Sequence, residues 1–184
     1  MNQYLFQSER LGFRNWTLDD LDALAEMNND DDVMEFFPFK PSKEQTKDFI
    51  HRMQKMYEKT GFCYFAVDIA ANKEFIGFIG LSEQSYIENK PTFVDIGWRL
   101  KKSVWNKGYA TEGAKACLDF GFHQIGLTDI YSVASEINIK SEAIMKKIGM
   151  QRIKTFKHPK LLEDKRLVNC VFYHISNNRK QTTT

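Results

Sequence analysis

Apolar residues recur along this chain with two periods, one near 3.6 and one near 2, and the alternation between them lays out the elements. Leu11, Phe13 and Arg14 suit a first strand ending near Trp16. Leu18, Leu21, Leu24, Ala25 and Met27 then fall at helical spacing, and Thr17 with Asp20 three residues on supplies a start signal. Asn28-Asn29-Asp30-Asp31-Asp32 interrupts that helix. A short helix or turn over residues 33–37 follows, and Pro38 disfavours helix at Phe37. Ser42 and Gln45 form a capping box for the clearest helix of the N-terminal half. Its apolar face is Phe49, Ile50, Met53, Met56 and Tyr57, and Gly61 ends it.

The pattern then switches to period 2. Residues 62–69 and 74–83 read as a hairpin around Ala71-Asn72-Lys73, in which Gly77 and Gly80 mark a bulge or the close packing of another element. The strand over residues 92–100 has unlike faces. Val94, Ile96, Trp98 and Leu100 make a core face; Phe93, Asp95, Gly97 and Arg99 make the other. A helix over 110–124 contains Gly113 and Gly121, which cost helix stability and so predict tight packing on the sheet. A strand over 129–136, a helix over 140–148 ended by Gly149, and a closing hairpin over 150–158 and 167–175 complete the order. The chain thus reads β-α-α-α-β-β-β-α-β-α-β-β. That order predicts a mixed α/β sheet in one domain over residues 1–176, with 177–184 as a frayed tail.

Composition narrows this picture without changing it. The 184 residues suffice for one sizeable core, and 42% hydrophobic with 27% charged residues describes an ordinary folded protein. Lys and Arg number 26 against 24 acids, so the net charge of +2 gives no reason to expect nucleic acid. No run approaches the roughly 20 apolar residues of a membrane span, and Met1-Asn2-Gln3-Tyr4 does not resemble a signal peptide. Cys63, Cys117 and Cys170 are unpaired in spacing and sit in apolar patterns without a flanking base. Reduced, buried thiols and a cytoplasmic location are therefore expected, and no thiol nucleophile. The four histidines lack metal-ligand spacing, so no metal is expected.

The candidate chemistry begins at Trp105-Asn106-Lys107-Gly108-Tyr109-Ala110-Thr111-Glu112, where a strand-like run gives way to a helix-like one. A helix start leaves about four N–H groups without intrahelical partners. Small residues there admit a ligand to the backbone, and with the helix dipole and Lys107 they would make a phosphate cradle, or else the segment is a plain helix start. Downstream lie Asn138-Ile139-Lys140-Ser141 and Lys147-Ile148-Gly149-Met150. The first octapeptide resembles the pyrophosphate loop of the GNAT superfamily of acyl-CoA-dependent N-acyltransferases, in the branch similar to the ribosomal-protein alanine acetyltransferases (RimJ/RimL-like). The downstream segments resemble the N-x-x-S…K-x-G-F stretch of that branch, and the likeness runs from about Leu11 to Tyr173.

That resemblance implies the acyl-CoA N-acyltransferase fold: a mostly antiparallel sheet of six to seven strands, with a splayed parallel pair and flanking helices. It also implies acetyl-CoA as co-substrate and an amine acceptor, either a protein N-terminus or a small molecule, on a monomer or homodimer. By position it assigns the pyrophosphate to the backbone of Lys107, Gly108, Tyr109, Ala110 and Thr111, and the pantetheine arm to the strand carrying Gly97, Trp98 and Arg99. Asn138 would contact the pantetheine, or serve only as a helix cap. Lys102, Lys107 and Lys146 are candidate cations for the adenosine phosphates. Asp95 stands as the base that deprotonates the amine, or else as a surface or ion-paired acid, with Arg99 the nearest candidate partner. Many superfamily members carry a Tyr seven residues after the Asn; here Met145 takes that place and cannot donate a proton. Ser141 takes the donor's role by position, or is an ordinary first-turn residue. Asp30, Asp31 and Asp32 with Phe36, Phe37 and Phe39 would form an acidic, aromatic mouth for a cationic amine, or a solvated turn followed by core aromatics. His158 would face the acceptor. A non-catalytic acyl-CoA sensor is the alternative reading of the whole.

Overall fold

The structure, a computed structural model, describes residues 4–87 and 92–177. Its centre is an eight-stranded sheet in the order β1-β2-β3-β4-β5-β6-β8-β7. The strands are β1 (Phe6–Gln7), β2 (Leu11–Arg14), β3 (Tyr64–Ile69), β4 (Glu74–Gln84), β5 (Phe93–Leu100), β6 (Asp129–Ser135), β7 (Gln151–Lys157) and β8 (Asn169–Ser176). Four α-helices cross between them: α1 (Leu21–Asn29), α2 (Lys43–Thr60), α3 (Tyr109–Phe120) and α4 (Ile139–Lys147). Eight strands replace the expected six to seven. The addition is β1, whose two residues are too few to show an alternation.

Local signals place the helices. Ser42 Oγ accepts from the Gln45 amide at 3.2 Å, and Gln45 Oε1 accepts from the Ser42 amide at 2.9 Å, which closes both halves of the box that starts α2. Gly61 ends α2 in the left-handed region at φ 78°. The segment over 33–37 is a set of turns, not a helix. Beyond Phe120 the third helix widens into a π-helical turn, Gly121–Ile125.

The two layers of helices lie on opposite faces of the sheet. The ring of Phe78 on β4 meets Phe49 of α2 at 5.2 Å, whereas its neighbour Ile79 points to the other face. There a Cβ on Gly113 of α3 would lie 2.3 Å from Ile79 Cδ1, so the helix backbone rests directly on the sheet. The glycines of β4 also do what their pattern predicts. At Gly77, φ is 130° and the register against β3 shifts, so this is a bulge.

The expected contrast between the faces of β5 is not observed. Phe93 and Asp95 are as buried, at 5% and 7% exposed, as Ile96 and Leu100 at 1% and 5%. Helices cover one face and aromatic residues cover the other, with Phe93, Ile87 and Phe172 forming a second, smaller core. All neighbouring strands run antiparallel except β5 and β6, which are parallel and pair only at Asp95 and Tyr131. The Ser132 hydroxyl donates to the Ile96 carbonyl at 3.0 Å. Past that point no described residues of β5 and β6 pair, and the strands splay toward their C-terminal ends. No described helix is long and apolar enough to cross a membrane.

Candidate active site

The segment between β5 and α3 bends tightly. Asn106 and Gly108 both take positive φ, 60° and 82°, and Gly108 is the residue that starts α3. No side chain caps that start. The amides of Tyr109, Ala110 and Thr111 therefore have no intrahelical acceptor and carry the positive end of a three-turn helix. Trp105 Nε1 donates to the Leu100 carbonyl at 2.8 Å and ties the loop to the end of β5.

A clasp from the far N-terminus holds the other side. Glu112 accepts from Ser8 Oγ at 2.7 Å and from the Arg10 amide at 2.8 Å, and pairs with the Arg10 guanidinium at 2.6 Å. Arg10 also donates to the Lys107 carbonyl and stacks on the Tyr109 ring. Partial burial pushes the Glu112 carboxyl up, but the bonds from Ser8 and Arg10 outweigh it and hold it below the usual range.

The splay between β5 and β6 opens beside this loop. Asn138 caps α4, its Oδ1 accepting from the Ser141 amide at 3.1 Å, so the cap is real and its amide nitrogen stays available as a donor. Ile137 and Ile139 flank it with 47% and 72% exposure, an apolar rim at the mouth. Lys140 of α4 lies over the Trp105 ring at 4.9 Å, so the two lips of the opening touch. Ser141 is half-buried in the first turn of α4, while Met145 is core at 1% exposure. Of the three candidate lysines, Lys102 pairs with Asp32 and Lys146 with Glu142, whereas Lys107 forms no ion pair among the described residues. Bare amides, a glycine at the turn and an apolar wedge beside them suit a diphosphate with a long thin arm.

Asp95 lies where the splay begins, at the point where β5 and β6 pair, on the face toward α2. Its Oδ1 accepts from the Tyr64 hydroxyl at 2.6 Å and from Gln84 Nε2 at 3.4 Å. It is neither a surface acid nor paired with Arg99. Burial pushes its carboxyl up to about 7, against the opposing pull of the Tyr64 and Gln84 bonds. Two glycines make room for Tyr64. In one row across the sheet, Tyr64 pairs with Gly80 and Gly80 with Gly97. A Cβ on Gly97 would lie 3.2 Å from the Tyr64 ring, so the tyrosine lies over a strip of bare backbone with its hydroxyl aimed at the acid.

Next along the same face is a cavity of about 270 Å³ between α1, α2 and the 37–41 segment. Phe37, Phe39, Phe49 and Phe78 line it together with Arg99; Asp95 and Tyr64 do not. Phe37 is thus where the sequence suggested. Phe36 is half-buried outside the lining. His158 is also outside the lining. It starts the short helical turn Pro159–Leu161 and packs on Tyr86 at 4.4 Å; burial lowers its pKa. The acids of the expected mouth already have partners within the chain. Asp31 pairs with Lys40, Asp32 with Lys102, and Asp30 Oδ1 accepts amides of its own turn. Trp98 packs at the edge of the main core. The three cysteines are buried, and burial raises each thiol pKa, which keeps them from acting as thiolates. Among the described residues no cluster of three or more His, Cys, Asp or Glu could hold a metal.

Tyr64 and Gln84, the hydrogen-bond partners of Asp95, are candidate site residues that sequence reasoning missed. The one available signal was the glycine pair, Gly80 and Gly97, which marks a side chain lying on the sheet.

The acetyltransferase (GNAT) domain family matches residues 10–151. An uncharacterized N-acetyltransferase of Bacillus subtilis, YnaD, is 31% identical over 82% of this chain and 84% of its own length. A GNAT-family acetyltransferase from Bacillus anthracis superposes with a TM-score of 0.75 at 27% identity, covering 92% of this chain and 96% of that one. RimL, a ribosomal-protein acetyltransferase solved with coenzyme A, shares the fold with a TM-score of 0.75 at 16% identity, over 94% of this chain and 97% of that one. The chain belongs to the GNAT acetyltransferase family, and it is an N-acetyltransferase enzyme.

Proposed function

We propose that this enzyme moves an acetyl group from acetyl-CoA to a primary amine by direct attack in a ternary complex. The observation that carries this reading is the buried Asp95 with its Tyr64 hydroxyl, set beside the splay of β5 and β6. An ammonium group titrates near 10.4, so a neutral nucleophile needs a base at hand. A carboxylate lifted to about 7 is matched to that task at neutral pH.

Asp95 is only 7% exposed, so the proton reaches it through a relay. The Tyr64 oxygen takes the amine proton as the Tyr64 O–H proton passes to Asp95 Oδ1; one bond forms and one breaks at each step. The amides of Tyr109, Ala110 and Thr111, with Lys107, hold the diphosphate of the co-substrate. Asn138 offers its amide nitrogen to the arm between the strands. Acetyl-CoA, when bound, supplies the activated acetyl group. Backbone N–H groups near Gly97 and Trp98 face the negative charge that develops on it, and the Ser141 hydroxyl donates toward the departing sulfur.

The test is thiol release from acetyl-CoA with a panel of small amines and N-terminal peptides. Turnover that rises with pH through about 7 supports the relay. Tight coenzyme binding with no turnover on any amine would favour a sensor instead.

A further inference from the structure

Two half-buried arginines of this fold are treated differently. Arg14 is paired with two carboxylates, Asp20 and Asp68, each at 2.7 Å. Arg99 has none. Its Nη1 donates to Asn28 Oδ1 at 2.8 Å, and its Nε is buried without a hydrogen-bond partner. The rings of Phe37 and Phe78 lie 3.9 and 5.3 Å from its guanidinium carbon. The Asn28 amide is itself held, because its nitrogen donates to Thr46 and the Thr46 hydroxyl donates to the Ser42 carbonyl. A neutral oxygen and two aromatic rings therefore orient this cation without neutralising it.

A charge withdrawn from water without a counter-charge is unfavourable. Aromatic contacts recover only part of that cost. The imbalance is placed at a cavity, for Arg99 lines the 270 Å³ pocket on the acceptor face. The other charged residues of the lining, Asp48 and Arg52, are exposed side chains of α2, one of each sign. A volume near 300 Å³ is the small end of ligand pockets and suits a compact molecule. Guanidinium groups select carboxylates, because the fork of N–H donors matches the two oxygens.

We propose that Arg99 is the carboxylate-binding residue of the acceptor subsite, so that the amine acetylated by this enzyme carries a carboxylate and an apolar body. The carboxylate pairs with the guanidinium and the apolar part packs against Phe37 and Phe39. This rests on the acetyl-transfer reading above and narrows it: a compact amino acid is favoured over a purely cationic polyamine.

Matched acceptors test it. An apolar amino acid, its amide and its decarboxylated amine are compared by thiol release with wild type, Arg99→Lys and Arg99→Gln. In wild type, kcat/KM for the free carboxylate exceeds that for the amide by roughly tenfold to hundredfold, the worth of a hydrogen bond to a charged group. In Arg99→Gln that ratio falls to about one, through KM, and Lys restores part of it. No preference in wild type, or a ratio unchanged in the glutamine variant, overturns the proposal. Should the glutamine variant not fold, inhibition of wild type by 3-phenylpropanoate, competitive with the amine, decides in its place; no inhibition overturns it. Calorimetry of 3-phenylpropanoate on coenzyme-saturated enzyme separates the two readings. Binding that needs Arg99, without turnover of any amine, keeps the subsite and removes acetyl transfer; no binding removes the subsite.

Discussion

The two ends of β5 offer a ligand different parts of the chain. Past Leu100, the turn into α3 offers backbone: amides at an uncapped helix start, a glycine at φ 82°, and Lys107, which has no acidic partner among the described residues. On the face toward α2, the proposed base and carboxylate-binding groups are side chains, Asp95 buried and Arg99 half-buried, each held by residues distant in sequence. Amides bind any phosphate that reaches them, so the first region needs only a local conformation. The second has to tune an acid and orient a cation, and that takes assembled tertiary structure. Coenzyme affinity and catalytic rate should accordingly come apart under mutation.

Asp95→Asn should separate them most sharply. A general base typically contributes 10²–10⁴-fold, so kcat should fall on that order while coenzyme affinity, measured by calorimetry, stays. Its stability signature runs the other way. The folded pKa is raised from 3.8 to about 7 by burial, so the protonated acid favours folding below about pH 4, and that contribution is lost as pH rises through 7. Urea unfolding at several pH values should therefore show wild type losing stability relative to the Asn variant between pH 4 and 7. A parallel pair of curves would remove Asp95 as a perturbed acid.

Gly108→Val attacks the other region. Valine at positive φ is strained, and its branches crowd amides that each contribute about 1.5–3 kcal/mol to a charged ligand. Coenzyme affinity should weaken by roughly 100-fold with the sheet intact by circular dichroism. Retained affinity would mean the diphosphate binds elsewhere. Smaller, but more telling for the relay, is Tyr64→Phe. Its hydroxyl favours ionised Asp95, so its loss should move the rate inflection to a pH above 7 and slow turnover at neutral pH by about tenfold. An inflection that does not move would cut Tyr64 out of the proton path. Glu112→Gln should cost least: a loosened clasp and a coenzyme affinity lower by about two- to fivefold, in line with a partly exposed ion pair.

Legibility in the sequence followed the same divide. The capping box of Ser42 and Gln45, the stop at Gly61 and the turn at Gly108 are local, so a short window carries each one. The strand and helix order came from periodicity and matched apart from β1 and the 33–37 segment, which forms turns in place of a helix. Resemblance to the GNAT loop then supplied a fold and a cofactor that spacing alone left open. What stayed hidden depends on pairings across the sheet. Tyr64 is 31 residues from Asp95, and Asn28 is 71 from Arg99. Near Asp95 only Gly97 hints at a ring lying on the sheet, and nothing near Arg99 in sequence marks its contact with Asn28. The run Asp30-Asp31-Asp32 misled for the same reason. Its composition suggests a magnet for cations, but Lys40 and the distant Lys102 already hold two of its acids. Burial on both faces of β5 was invisible too, since an acid and a glycine in a strand look like an exposed edge until aromatics from β3 and β8 cover them.

The clasp from Ser8 and Arg10 to Glu112 ties together stretches more than a hundred positions apart. A ribosome delivers the opening hairpin long before the carboxylate that fastens it, so the coenzyme cradle is among the late features to mature during synthesis. Proteolytic nicks or circularly permuted openings placed at residues 8–10 would consequently behave as lesions of coenzyme capture, although that turn lies outside the octapeptide by which the cradle is recognised.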